Sequence, residues 1–138
     1  KRVYNAVIVG SFAEDEGRID LPIGRHPVHR KKMTVINENS KPAVTNYRTL
    51  EKFKGYSLCE FRLETGRTHQ IRVHMSYIGH PVYNDPVYTN DKCSEFGQFL
   101  HSYSMDFIHP ITKKEMHFEA PLPNEFQTFI DSLDKDQI

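Results

Sequence analysis

Apolar and polar positions alternate along much of the chain, which is typical of β-strands rather than helices. Residues 3–9 are apolar on both sides of the alternation, so they predict a strand in the interior of a sheet. Residues 56–63 alternate apolar with polar side chains and predict a half-buried strand. Together with residues 44–53 they form a predicted hairpin, in which Gly55 can adopt the positive φ of the turn.

Helical spacing occurs at two places. Ile71, Met75 and Ile78 predict a helix over residues 68–78, which Gly79 and the nearby Pro81 end. A second helix starts at Pro123, and its apolar stripe consists of Phe126, Phe129, Ile130 and Leu133. A long strand is predicted at residues 99–107, with residues 116–119 pairing back on it. Strands outnumber helices and connect by hairpins, so the predicted fold class is α+β around a mostly antiparallel mixed sheet with a few helices.

Composition is that of a soluble globular domain. The 138 residues suit one domain, with 38% hydrophobic and 26% charged residues. No apolar run approaches the roughly 20 residues that span a bilayer, so we expect no membrane association. Cys59 and Cys93 form neither a disulfide framework nor a zinc spacing, which favours a cytoplasmic location.

Charge is unevenly distributed although the formal net charge is zero. Residues 24–32 contain no acid, whereas residues 115–138 contain six acidic residues and one lysine. Such asymmetry permits a basic surface on a neutral protein, and that surface would attract phosphates. The alternative is an ordinary solvated loop and an ordinary acidic helix.

Three polar residues of the first predicted helix, His69, Arg72 and Ser76, share the side that the apolar stripe leaves free. Arg67 lies just before them, near the free N–H groups of the helix N-terminus. This combination favours a site for a carboxylate or a phosphate. An ordinary polar helix surface is the alternative.

The same stretch, Glu64-Thr65-Gly66-Arg67-Thr68-His69-Gln70-Ile71-Arg72-Val73-His74-Met75, closely resembles the RluA-type family of pseudouridine synthases. The resemblance covers nearly the whole chain, in the family's order and spacing. It continues in Pro22-Ile23-Gly24-Arg25-His26-Pro27, Lys41-Pro42-Ala43-Val44-Thr45-Asn46-Tyr47, Gly79-His80-Pro81, Asp85-Pro86-Val87-Tyr88, Leu100-His101, His109-Pro110 and Ala120-Pro121.

The resemblance implies an RNA-modifying isomerase that converts uridine to pseudouridine without cofactor or metal. It also implies an essential aspartate in an earlier His-Arg-Leu-Asp pattern, and this sequence contains no such tetrapeptide. The chain starts at Lys1 and enters a strand at once. We therefore expect residues 1–138 to be the C-terminal portion of a catalytic domain, to be inactive alone, and to expose apolar surface that promotes self-association.

Several site residues follow from the resemblance. Arg72 corresponds to the arginine that pairs with the absent aspartate, Tyr4 to the tyrosine that stacks on the target base, and Leu100 to the apolar residue beside the base pocket. Charge and loop position add candidate contacts to the RNA backbone: Arg67, His69, Arg25, His26, Arg30, Lys31 and Lys32.

The expected partner is RNA, with ribosomal RNA first and transfer RNA as the other candidate. The main alternative is a noncatalytic RNA-binding module on the same scaffold. A metal hydrolase built from His69, His74, His80 and His101 is disfavoured, because His69 and His74 are five positions apart and point to different sides of a helix.

Overall fold

Every strand pairing is antiparallel within residues 2–134, the part of the chain that the computed structural model describes. The strands are β1 (Arg2–Val9), β2 (Glu16–Asp20), β3 (Ile23–Arg25), β4 (Met33–Val35), β5 (Ser40–Lys41), β6 (Val44–Phe53), β7 (Tyr56–Leu63), β8 (Leu100–Ile108) and β9 (Glu115–Glu119). The helices are α1 (Gln70–Tyr77) and α2 (Asn124–Ser132). This arrangement confirms the predicted α+β class.

Six strands form the main sheet in the order β2-β6-β7-β1-β8-β9, and a small second sheet has the order β4-β3-β5. The β6–β7 hairpin has the predicted bounds, and Gly55 turns it with φ +81°. Strand β1 pairs with β7 on one side and β8 on the other, which confirms its interior position. This interior position accounts for the apolar residues on both faces of β1.

The two helices cover opposite faces of the main sheet. On one face, Ala6 and Phe61 pack with Ile71 and Met75 of α1. On the other, Val7 and Phe99 pack with Phe126 and Ile130 of α2. Since successive side chains of a strand point to opposite faces, Tyr4 lies on the α1 face together with Ala6. The half-buried side chain of Leu100 packs against the same core cluster.

Helix α1 begins two residues later than predicted. His69 adopts a left-handed conformation with φ +55°, which a right-handed helix cannot include, so the helix starts at Gln70. It ends at Tyr77, one residue before the predicted end, and Gly79 follows with φ +88°. The side chain of His69 thereby turns toward Tyr88, as described below.

Buried polar side chains of α1 join the helix to the sheet by one directed chain of hydrogen bonds. Gln70 Nε2 donates to Thr45 Oγ1 at 3.0 Å, and that hydroxyl donates to His74 Nδ1 at 2.8 Å. His74 Nε2 then donates to the carbonyl of Leu21 at 2.9 Å. Each group has its partner, so the buried imidazole is held in a single neutral form.

A buried ion pair fixes the segment that follows α1. Arg72 donates from Nε to Asp85 Oδ2 and from Nη2 to Asp85 Oδ1, both at 2.8 Å. Arg72 is 8% exposed and Asp85 is 0% exposed. The expectation that Arg72 has no acidic partner within this chain is therefore wrong. Asp85 lies 13 positions after Arg72, in an irregular segment, so no periodic spacing in the sequence indicates the pairing.

We predict that acidification destabilises the protein through His74. Burial lowers the pKa of this imidazole in the folded state, although the hydrogen bond to Leu21 acts in the opposite direction. The unfolded chain, with the ordinary histidine pKa of about 6.5, binds the proton more strongly. The contribution is thus fully present above about pH 6.5 and decreases as the pH falls below it.

Urea unfolding at several pH values checks this expectation. The variant His74→Gln keeps one acceptor and one donor but cannot titrate, so its free energy of unfolding should fall less steeply with acid than that of the wild type. His29→Gln, in an exposed loop, controls for the substitution itself. The same pH dependence in His74→Gln and wild type would contradict the prediction.

We also predict that Arg72→Ala lowers the free energy of unfolding by about 3–5 kcal/mol, since it leaves the Asp85 carboxylate buried and without its cation. Arg62→Ala is the matched control: Arg62 also pairs with a carboxylate, at 3.1 Å to Glu60, but its side chain is 60% exposed. That change should cost at most about 1 kcal/mol. Denaturant titration of both variants measures the difference, and equal losses would show that burial of the Arg72 pair adds nothing.

Candidate nucleic-acid interface

An open cavity of about 480 Å³ lies where β1 and the end of β7 meet the turn before α1. Tyr4 and Arg67 both line it, together with Arg2, Leu63 and Gly66. The cavity thus combines an aromatic side chain with two guanidinium groups and with the carboxylate of Glu64, which already pairs with Arg18. An aromatic ring offers a stacking surface to a base, and the cations suit its phosphates.

A second cavity, of about 280 Å³, shares Gly66 and Arg67 with the first. Its other cations are Arg25 and Lys41 from the small sheet. Arg67 therefore stands between the two cavities. Its Nε donates to the carbonyl of Pro42 at 2.7 Å, which fixes the direction of the guanidinium.

A third cavity, of about 480 Å³, lies between the basic loop (residues 26–32) and residues 86–90. Its cations are Arg30, Lys31 and Lys32, and no acidic residue lines it. None of these three side chains forms an ion pair with another residue of the described range 2–134. Their charges are therefore not neutralised within this part of the chain.

The basic loop is shaped by its first residue, His26, and by Arg25 just before it. His26 Nδ1 accepts the N–H of Val28 at 3.1 Å and of His29 at 3.0 Å, and Arg25 Nη1 donates to the Arg30 carbonyl at 2.7 Å. The His26 N–H donates to the carbonyl of Lys32 at 2.9 Å and closes the loop. Arg25 and His26 thus have a structural role, whereas Arg30 and Lys31 extend into solvent.

The polar side of α1 faces the protein itself. His69, Arg72 and Ser76 do share one side, as predicted, but all three bind residues 85–88. His69 Nδ1 lies 2.7 Å from the Tyr88 hydroxyl, and Ser76 Oγ donates to the Tyr88 carbonyl at 3.1 Å. A carboxylate does lie at this helix within the chain, and it is that of Asp85.

Electrostatics at this contact favour the ionised pair. Burial alone would raise the pKa of Asp85, but the hydrogen bonds from Arg72 and from the N–H groups of Val87 and Tyr88 outweigh it and lower the pKa. Burial also raises the pKa of the Tyr88 hydroxyl and lowers that of the His69 imidazole. Around neutral pH, therefore, Asp85 is charged and both Tyr88 and His69 are neutral.

The guanidinium of Arg72 retains bonding capacity. The edge formed by Nε and Nη2 is occupied by Asp85, while Nη1 donates to no residue within the described range. One face of the guanidinium lies over the ring of Tyr88, with Cζ 5.1 Å from the ring centroid. A planar guanidinium can bind a second carboxylate along its Nη1–Nη2 edge.

Sequence reasoning missed several residues. Arg2 and Lys41 line the cavities but stand outside the basic loop, and only their folded positions show that they belong there. Asp85 and Tyr88 carried a signal, since both lie in the stretch that resembles the family. That signal did not indicate what they contact.

The four histidines of the metal-hydrolase alternative have separate partners. His74 binds Thr45 and Leu21, His80 Nδ1 binds the Val9 carbonyl, and His101 Nε2 binds the Ala120 carbonyl. Across residues 2–134, no three His, Cys, Asp or Glu side chains are grouped as a metal site would require. Nor does this part of the chain contain a helix with the length and apolar character needed to cross a membrane.

Curated relatives share much of the sequence. An uncharacterised RNA pseudouridine synthase of Bacillus subtilis, YlyB, is 48% identical over 135 residues, which is 97% of this chain and 44% of the relative. Ribosomal large subunit pseudouridine synthase D is 43% identical in Nitrosomonas europaea and 41% in Pseudomonas aeruginosa, over 96% and 99% of this chain. The chain spans 41% and 46% of those two proteins, so it covers less than half the length of each of these three relatives.

Solved structures share the fold. Human RNA pseudouridylate synthase domain containing 1 superposes with a TM-score of 0.76 at 24% identity, over 99% of this chain and 67% of that one. A second human structure, RNA pseudouridylate synthase domain containing 4, superposes with a TM-score of 0.75 at 23% identity, over 99% of this chain and 64% of that one. The antiparallel sheet and its helices are therefore those of a pseudouridine synthase fold.

A sequence model described as RNA pseudouridylate synthase matches residues 1–77. This match includes Tyr4, the basic loop and α1. With the relatives named above, it confirms the resemblance to RluA-type pseudouridine synthases. Because the match spans more than half of the 138 residues, the chain belongs to the RNA pseudouridylate synthase family.

Proposed function

We propose that this chain forms part of an enzyme that isomerises uridine to pseudouridine in structured RNA, with ribosomal RNA as the substrate and a cytoplasmic location. The observation that carries the proposal is the cavity in which Tyr4 and Arg67 stand together. Family membership supports the reaction, and the relatives named ribosomal large subunit pseudouridine synthase D support ribosomal RNA. Transfer RNA is the other candidate substrate.

The reaction exchanges one bond for another. The bond between N1 of the base and C1′ of the ribose breaks, the base rotates, and C5 joins C1′. The hydrogen on C5 leaves as a proton and N1 gains one, so the isomerisation needs no redox partner. We place its nucleophilic aspartate outside residues 1–138, because the His-Arg-Leu-Asp pattern that the resemblance requires is absent here.

In this proposal Tyr4 receives the target base. A base that leaves its stack loses its neighbours, and an aromatic ring replaces part of that stacking. The Tyr4 side chain is half-buried, packs against the core cluster and lines the cavity, so part of it is held by the core and part is accessible to a base. Leu100 packs against the same core cluster, opposite Ala6 of β1, and is proposed as the apolar residue beside the base pocket.

Arg72 is proposed to orient the upstream aspartate from its remaining edge. Asp85 already fixes the guanidinium by two hydrogen bonds of 2.8 Å, so the free Nη1 points in a defined direction. A second carboxylate on that edge would stay ionised, because it would face a buried cation. Asp85 would thus position Arg72 for its partner.

Phosphates flanking the target nucleotide would bind the cations of the second and third cavities. Arg67 and Lys41 serve the second cavity, and Arg30, Lys31 and Lys32 serve the third. Arg25, His26 and His69 would support these contacts by holding the loop and the helix end, as their hydrogen bonds suggest.

A noncatalytic RNA-binding module is the second candidate. The observation that favours it is that the residues lining the cavities supply stacking and charge, which RNA binding alone also requires. An isolated chain of 138 residues would then bind RNA without converting it. The two candidates make opposite predictions for a longer protein that joins the chain to an upstream His-Arg-Leu-Asp segment.

We predict that this longer protein releases tritium from ribosomal RNA labelled at C5 of uridine, because formation of the new bond expels that hydrogen. The isolated chain should release none. Absence of release from both proteins, with binding retained, would favour the noncatalytic module.

In the longer protein, Tyr4→Ala should lower kcat/KM by about 5- to 150-fold, the range expected for loss of one base–aromatic stack. Tyr77→Ala is the matched control, since Tyr77 is a surface tyrosine of α1 that is 62% exposed. Tritium release under steady-state conditions measures both variants. Equal activity of Tyr4→Ala and wild type would show that Tyr4 does not stack on the target base.

A further inference from the structure

We propose that Tyr88 is a positioning residue for RNA binding, whose hydroxyl holds the basic loop in a fixed orientation relative to α1. This inference rests on the proposed function, because it concerns how the same surface contacts RNA phosphates. Tyr88 itself lies beneath that surface and need not touch the RNA.

The hydroxyl of Tyr88 joins two parts of the structure. It accepts the N–H of Met33 at 3.0 Å, and it lies 2.7 Å from Nδ1 of His69. A hydroxyl can accept one hydrogen bond while it donates another, so both contacts are satisfied together. Met33 is the first residue of β4, where the basic loop ends, and His69 is the cap of α1. The hydroxyl thus spans the gap between loop and helix.

The ring and backbone of Tyr88 are held independently of the hydroxyl. Its N–H donates to Asp85 Oδ1 at 3.2 Å, and its carbonyl accepts a bond from Ser76. The ring packs in a small core with Ile23, Ala43 and Val73, and Arg72 lies over its face. Removal of the hydroxyl alone should therefore leave the fold and the ring in place.

Both walls of the third cavity depend on this residue. Its chain neighbours Val87 and Thr89 line one wall, while the basic loop, which ends at Met33, forms the other. The loop is braced internally, because His26 accepts two backbone N–H groups and its own N–H closes onto Lys32. A shift at Met33 would consequently move Arg30, Lys31 and Lys32 as a unit, away from the phosphates that they would contact together.

The test is Tyr88→Phe in the longer protein, with RNA binding measured over a range of salt concentrations. Loss of the hydroxyl removes both of the bonds that hold the loop. The displaced loop should raise Kd and KM by about three- to tenfold, while kcat stays within about twofold. The dependence of log Kd on log salt should become shallower by about one to three phosphate contacts, because the three cations move together. Tyr77→Phe, which removes an exposed hydroxyl from α1, should change none of these quantities.

A double-mutant cycle separates positioning from a merely structural role. Lys31→Ala should weaken binding less in the Tyr88→Phe background than in wild type, because a loop that has moved no longer uses its full charge. An unchanged salt dependence, together with equal Lys31→Ala effects in both backgrounds, would overturn the proposal. Wild-type protein that neither binds RNA nor releases tritium would instead overturn the proposed function itself.

Discussion

The ion pair between Arg72 and Asp85 is the contact on which the arrangement of this surface depends. Residues 79–99 contain no helix or strand. Backbone hydrogen bonds to β1 fix the part around Val82, whereas residues 84–89 are held by side-chain bonds. Arg72 holds Asp85 from a buried position on α1, and the same carboxylate accepts the N–H groups of Val87 and Tyr88. One buried charge thus shapes the turn that places Tyr88. Since an isolated charge in the interior is costly, helix and segment are expected to hold their places together.

Neighbouring polar residues in and just before α1 have different functions. Gln70 and His74 are buried and join the helix to β6 and to Leu21, so their polarity serves the fold. Arg67 precedes the helix and lines two cavities, where its charge remains available for a ligand. Arg72 combines both tasks, because Asp85 occupies only one edge of its guanidinium. His69 lies between Arg67 and the helix. Its left-handed conformation turns the chain there, so Arg67 lies at the cavities while Gln70 and His74 are buried.

The elements with strict periodicity could be predicted from the sequence. The β6–β7 hairpin has the predicted bounds, and the stripe of α2 packs as expected through Phe126 and Ile130. Two kinds of feature could not be predicted. The left-handed conformation of His69, whose side chain contacts Tyr88, makes α1 start at Gln70, and no spacing of apolar residues indicates it. The Arg72–Asp85 contact joins a helix to an irregular segment, and the family resemblance directed attention to a different aspartate.

Net charge is a poor guide to the binding surface of this protein, and the pattern of ion pairing is a better one. A cavity of about 590 Å³ contains three arginines, but it lies on the sheet face opposite α1 and its cations are already paired. Arg18 binds Glu64 at 3.0 Å, and both Arg48 and Arg62 bind Glu60. RNA phosphates at this place would have to compete with those carboxylates, whereas the cations of the basic loop have no such partner among residues 2–134. A protein of zero formal charge can therefore attract RNA at one surface, provided that its acidic side chains neutralise the cations elsewhere.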